Sequence, residues 1–264
     1  ISAYIMAANC LCGLLFVISA VDVVCNSLLF LTTIRSKSLR SPCNILIGTC
    51  ALFDVLHQSG NFLQSYGILR NATMNSWTCS VVMVEQFVPE MSVSAGTFSV
   101  LSIGIDRFAS IASPNRYRNM NTKKYLFVQY SAISTYCIYT AFLMVYYFRE
   151  QELICGIATV FHDDAVAIWS NAGVAVNVTS LFFYVLTWPA SLEIDQLRRI
   201  FRTIVLVTVL ELGGFSICQT IVFALHWIEL SAHKQHLMLM IAANFVTAGV
   251  ATKFIVYYLT RFEN

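Results

Sequence analysis

The sequence predicts an all-α membrane protein, a bundle of seven transmembrane helices with its N-terminus on the extracellular side. Three observations predict it. The 264 residues are 58% hydrophobic and only 11% charged, whereas a soluble domain carries about 25% charged residues, so this chain cannot cover itself with a polar surface. Apolar stretches of about 20 residues or more, enough to cross the hydrocarbon core, recur seven times. Finally, Lys and Arg gather in every second connector. Ten of the 16 follow the first, third and fifth stretches, and Arg261 follows the seventh, whereas the second, fourth and sixth connectors hold Arg70, Arg149 and Lys234. Cytoplasmic loops carry the Lys/Arg excess, so the first set lies inside the cell.

Each span follows in order within a single domain, 1–264. Span one, Ala3 to Ile34, contains Asp22 and Asn26. It is long and lacks the basic start and cleavage site of a signal peptide. Arg35, Lys37 and Arg40 form a basic loop that ends at Ser41-Pro42. Span two, Cys43 to Leu69, carries Asp54 and His57. Span three covers Cys79 to Ile111, and Arg116, Arg118, Lys123 and Lys124 follow it. Span four is Tyr125 to Phe148, and an acidic connector separates it from span five, Ala165 to Trp188. Arg198, Arg199 and Arg202 precede span six, Thr203 to Trp227, and span seven is His236 to Leu259. The chain starts within span one and stops just after span seven, as a fragment or a trimmed product would.

Composition also excludes classes. No continuous basic face or recognition module suggests nucleic acid. The nine cysteines lack paired C-x-x-C spacing, and no H-E-x-x-H motif is present, so neither a metal, a cofactor nor an enzymatic reaction is expected. A small transporter would show a two-fold hydropathy repeat with matching broken helices, and Gly213-Gly214 has no counterpart. Asn71-Ala72-Thr73 is a glycosylation acceptor in the first extracellular connector, and Asn177-Val178-Thr179 lies inside span five, where it should be silent. Cys79 and Cys155 stand at extracellular ends, where an oxidising exterior favours a disulfide over free thiols. The other seven cysteines read as small apolar residues.

Polar residues inside spans mark function, because a charge in the membrane interior needs a partner or a cavity. Asn26 and Asp54 sit well inside their spans. At the end of span three, Asp106, Arg107 and Phe108 are followed by Pro114 and Tyr117. This D-R-F with P-x-x-Y resembles the cytoplasmic end of the third helix in rhodopsin-like G-protein-coupled receptors. Asn44 to Asp54 resembles that family's N-x-x-x-x-x-x-A-x-x-D run, and Lys253 to Tyr258, K-F-I-V-Y-Y, resembles the ending of nematode serpentine chemoreceptors of the Srsx type. The usual tryptophan of span four, proline of span five and C-W-x-P of span six are absent.

The resemblance implies roles. Arg107 is the switch arginine, pairing with Asp106 and with Glu193 or Asp195, and Tyr117 and Tyr257 belong to the same cytoplasmic machinery, which receives a heterotrimeric G protein. Lys253 replaces an asparagine near the span-two aspartate, which suggests a Lys253–Asp54 ion pair in place of a sodium ion. The alternatives are a lysine that snorkels to the interface and, for Asp54, a simple hydrogen bond to Asn26. A retinal-bearing lysine is disfavoured, since opsins place theirs near Thr247. Amine receptors carry an aspartate eighteen residues before the switch arginine, where this chain has Pro89, a residue expected to kink the helix. A monoamine ligand is therefore not expected. The ligand, a small molecule or a peptide, is expected among Glu85, Phe87, Glu90, Met91, Trp169 and Asn171, with His226 and Trp227 at the rim. The same aromatic and Met residues also suit an ordinary bundle core. A receptor that folds without coupling is the alternative reading of the missing motifs.

Overall fold

The computed structural model describes residues 2–69, 73–75, 84–150, 152–154, 161–162, 164–191, 195–228 and 231–262. Seven long helices account for the seven apolar stretches: α1 (Ser2–Arg35), α2 (Pro42–Leu69), α3 (Val84–Ala112), α5 (Thr122–Tyr146), α6 (Asp164–Ser191), α7 (Asp195–Trp227) and α8 (Ala232–Phe262). A short α4 (Pro114–Arg118) turns the chain after α3. Helices α7 and α8 extend beyond the stretches read from hydropathy, because backbone hydrogen bonding continues past the apolar middle into the polar flanks. Among the described residues, four helices contain segments long and apolar enough to cross a membrane: Met6–Arg35, Phe87–Ala112, Thr122–Tyr146 and Asp164–Thr187. Shorter apolar segments, Leu212–Leu225 and Leu237–Thr252, lie in α7 and α8.

Local chemistry sets several boundaries. Asn121 caps α5, its Oδ1 accepting from the backbone N–H of Lys123 (3.1 Å) and Lys124 (3.2 Å). Pro114 starts α4, where its missing N–H costs nothing. Helix α3 runs unbroken through Pro89, which lies in its second turn, where only one intrahelical donor is lost. Two three-residue strands, β1 (Thr73–Asn75) and β2 (Glu152–Ile154), pair antiparallel with Thr73 opposite Ile154 and Asn75 opposite Glu152. They join the connector after α2 to the connector after α5, and they are too short to leave a period in the sequence.

The bundle is polar inside and apolar outside. On α1, Cys12, Leu15, Ser19, Asp22 and Asn26 are buried, while Leu14, Val17, Val21, Val24, Leu28 and Leu31 are 45–60% exposed. Both sets advance by three and four residues, the spacing of one helix face. Only lipid rewards an outer face of that kind. Helix α3 is the central post and is buried almost continuously from Ser92 to Gly104. Towards the cytoplasm, Val100 and Ile103 pack with Cys43, Leu46 and Cys50 of α2, Tyr184 of α6 and Leu212 of α7. Further out, Val93 packs with Phe215, Val246 and Val250. Close helix approach relies on glycine at Gly214, where an added Cβ would stand 2.6 Å from the Phe245 carbonyl oxygen.

Candidate functional site

The cytoplasmic end of α3 carries a closed polar cluster. Asp106 is fully buried, and Arg107 lies across its carboxylate, with Nε donating to Oδ2 at 3.1 Å and Nη2 at 2.5 Å. The Tyr117 hydroxyl donates to the other oxygen, Oδ1, at 2.9 Å, and Arg107 Nη2 reaches that hydroxyl at 3.5 Å. Both carboxylate oxygens are thus engaged.

The local sequence builds this geometry. Ser113, preceding a proline, leaves the helical region (φ −144°, ψ 64°). The chain reverses there, and α4 brings Tyr117 back against the last turn of α3. The Tyr117 ring meets Tyr125 of α5 edge-on, with centroids 6.4 Å apart. Burial and the adjacent Asp106 carboxylate push the Tyr117 phenol above its ordinary range, so it remains a proton donor. Phe108 points instead to α6, where it packs on Phe183 at 5.6 Å.

Glu193 and the side chains of Asp195, Lys253 and Tyr257 lie outside the described residues. The same holds for Asn71, Cys79 and Cys155, and for the side chains of Glu85, His226 and Trp227. The other seven cysteines are free thiols.

At mid-bundle, Asn26 does not pair with Asp54: its Nδ2 donates to Asp22 Oδ1 at 2.7 Å. Four residues on one helix face bring those two groups together without help from a neighbour. Asp54 is buried and faces Gly96 of α3, where an added Cβ would stand 3.7 Å from Oδ1. One turn further out lies a network that the sequence reading missed. Ser19 Oγ donates to Gln58 Oε1 at 3.0 Å, and Asn61 Nδ2 contacts Gln58 Oε1 (2.5 Å), Ser19 Oγ (3.1 Å) and Thr247 Oγ1 (3.3 Å). It ties α1, α2 and α8 together. Its signal was available: Asp54, Gln58, Asn61 and Ser65 recur at steps of three and four along α2 and are all buried.

The outer half holds Glu90, which is fully buried, with neither carboxylate oxygen hydrogen-bonded among the described residues. It lies within electrostatic reach of Tyr136 of α5 and Cys218 of α7. Asn177 of α6 is buried with both amide atoms unpartnered, and Gln219 of α7 has an unpartnered Oε1. Gly173 makes room for Gln219, whose Nε2 would collide with any added Cβ. Trp169 is half-buried, stacks on Phe161 at 4.8 Å and packs against the Val93–Phe215 cluster. Met91 is also half-buried.

Two expected pocket residues, Asn171 and Phe87, lie exposed. The inner face of α6 is Ser170, Gly173, Asn177, Ser180, Tyr184 and Thr187, all buried. Asn171 is rotated about 100° from Ser170 and is exposed. Phe87 is 41% exposed near the top of α3, above the turns where that helix enters the core. Among the described residues, no group of three His, Cys, Asp or Glu is placed to hold a metal.

Comparison with known proteins accords with this arrangement. The family model described as "Serpentine type 7TM GPCR chemoreceptor Srsx" matches residues 4–263. Melanocortin receptor 5 of Mus musculus is 26% identical over 141 residues, covering 52% of this chain and 43% of that receptor. Melatonin receptor type 1C of Gallus gallus is 29% identical over 114 residues, covering 42% of this chain and 32% of that receptor. The matched segments thus span less than half the length of either relative.

Proposed function

Because the chain belongs to the serpentine Srsx family of seven-helix G-protein-coupled chemoreceptors, we propose that it is a chemosensory receptor of the plasma membrane. An extracellular small molecule or peptide binds in the outer half, and a heterotrimeric G protein engages the cytoplasmic end. The observation that carries this reading is the Asp106–Arg107–Tyr117 cluster. It holds a partly buried cation on a fully buried carboxylate, in a closed arrangement at the face where the G protein must dock.

The mechanism is a shift of population. With the cluster closed, Arg107 is tied to Asp106 and unavailable to a partner. A ligand that binds the open form better draws the receptor towards it. Arg107 then leaves the carboxylate, and the space between the helices accepts a helix of the G protein as a helix-in-groove contact. Asp106 keeps the Tyr117 donor after Arg107 departs, which lowers the cost of exposing the carboxylate. Tyr257 completes the cytoplasmic machinery.

On the outer side, Glu90 is the anchor we assign to the ligand. A buried carboxyl group without a partner costs free energy, and a ligand that offers a cation or hydrogen-bond donors recovers it. Glu85, Met91 and Trp169 stand near it in the chain or the packing and shape the same region. Cys79–Cys155 closes the extracellular side as a disulfide, Asn71 carries a glycan, and Lys253 pairs with Asp54 inside the bundle.

The test is G-protein activation in cells that express wild type or Arg107→Ala, with surface level measured in parallel. The reading expects a ligand response in wild type and none in Arg107→Ala at equal surface level. An equal response from the variant removes the switch.

A further inference from the structure

At the cytoplasmic ends of α1 and α2, the described residues line an open cavity of about 310 Å³. Phe30 and Ile34 of α1 and Ile45 of α2 form apolar walls. At the closed end Gly48 meets Thr33 so tightly that an added Cβ would stand 2.8 Å from the threonine methyl. Arg40 also lines it.

The polar groups of the walls are already used. Thr33 Oγ1 donates to the Leu29 carbonyl at 2.8 Å. Thr49 Oγ1 donates to the Ile45 carbonyl at 2.9 Å and shares a 2.7 Å hydrogen bond with Tyr130 of α5. The chamber therefore presents methyl and methylene surface. Arg40 differs: it is exposed, no carboxylate lies within ion-pair distance among the described residues, and residues 35–45 contain no Asp or Glu.

Arg35, Lys37 and Arg40 mark the cytoplasmic membrane surface, and Ile34, 54% exposed, borders the cavity on the lipid side. An occupant must bring apolar chain from the bilayer and a negative group at headgroup level. We propose that this cavity is a binding site for one anionic phospholipid of the cytoplasmic leaflet, its phosphate on Arg40 and its upper acyl chain against Phe30, Ile34 and Ile45. Basic pockets between helices on the cytoplasmic side recognise lipid headgroups in this way. A free phosphate would leave the apolar walls unfilled, and a zwitterionic lipid would bring to Arg40 a phosphate already offset by its own choline cation.

The experiment is native mass spectrometry of the full chain in detergent, titrated with phosphatidylserine or phosphatidylcholine. Wild type should retain one phosphatidylserine with about fivefold preference over phosphatidylcholine, the worth of about one basic residue near the headgroups. Arg40→Gln should lose that preference, and Ile34→Trp, which fills the cavity from its exposed edge, should lower retention of both lipids. The double variant Lys123→Gln/Lys124→Gln should retain the preference. Undiminished preference in Arg40→Gln would overturn the site. An equal loss in the Lys123/Lys124 variant would also overturn it, by reducing the effect to general surface charge. Thermal unfolding of each variant shows whether it is folded, and if Arg40→Gln is not, Arg40→Lys must keep the preference for the site to stand.

Discussion

The two ends of the bundle treat a buried carboxyl group in opposite ways. Asp106 and Glu90 both stand on α3, both are fully buried, and they lie about 24 Å apart along the helix axis. Asp106 has every oxygen engaged, by an arginine beside it and a tyrosine brought round by α4. Glu90 has neither oxygen engaged, and its outer-half companions Asn177 and Gln219 also retain unpartnered atoms. A saturated cluster holds one arrangement. An unsaturated one has affinity in reserve for something that is not part of the chain.

The largest effect should come from breaking the saturated end. Asp106→Asn leaves Arg107 partly buried without its counter-ion, and removing one partner of a buried pair costs about 3 kcal/mol. The thermal midpoint should fall and ligand-independent G-protein activation should rise. A stable, silent variant would mean that the pair is an ordinary surface contact. The unsaturated end should respond differently. Glu90→Gln keeps the volume and removes a carboxyl group that the fold does not use, so the midpoint should hold or rise. The response to a positively charged ligand should fall about tenfold, roughly 1.4 kcal/mol. A marked loss of stability instead would make Glu90 a structural residue and erase the contrast.

The smallest effect sharpens the contrast at the saturated end. Tyr117→Phe removes one hydrogen bond to a carboxylate, worth about 1.5 kcal/mol, and should raise basal signalling less than Asp106→Asn does. The pH dependence has a definite sign. The Tyr117 phenol is raised above its ordinary value by burial and by Asp106. Its contribution is therefore complete below about pH 10 and declines as pH rises through the higher folded value. Wild type should lose stability above that point more steeply than Tyr117→Phe.

Much of this was legible in the sequence because membrane solvation imposes simple rules. Seven apolar stretches and the alternating Arg and Lys loops set the helices and their direction, and D-R-F with P-x-x-Y located Asp106, Arg107 and Tyr117 as one unit. What sequence alone lacked was rotation about each helix axis. Asn171 and Ser170 are adjacent in the chain, yet they differ by about 100°, and only packing against α3 shows which of them faces inward. Asn26 was legible as a buried polar residue but its partner was not, because Asp22 on the same helix competes at closer range than Asp54 on the next. The β1–β2 pairing was beyond reach, since three-residue strands carry no period.

Gly213 and Gly214 give α7 a fulcrum. Gly214 is pressed against the backbone of α8, whereas Gly213 has open space around it, and a glycine pair is where a helix bends most readily. From Gly214 to Asp195 the arm is about 28 Å long. A bend of about 10° at the pair would carry the cytoplasmic tip roughly 5 Å sideways while the segment beyond it stays clamped to α8.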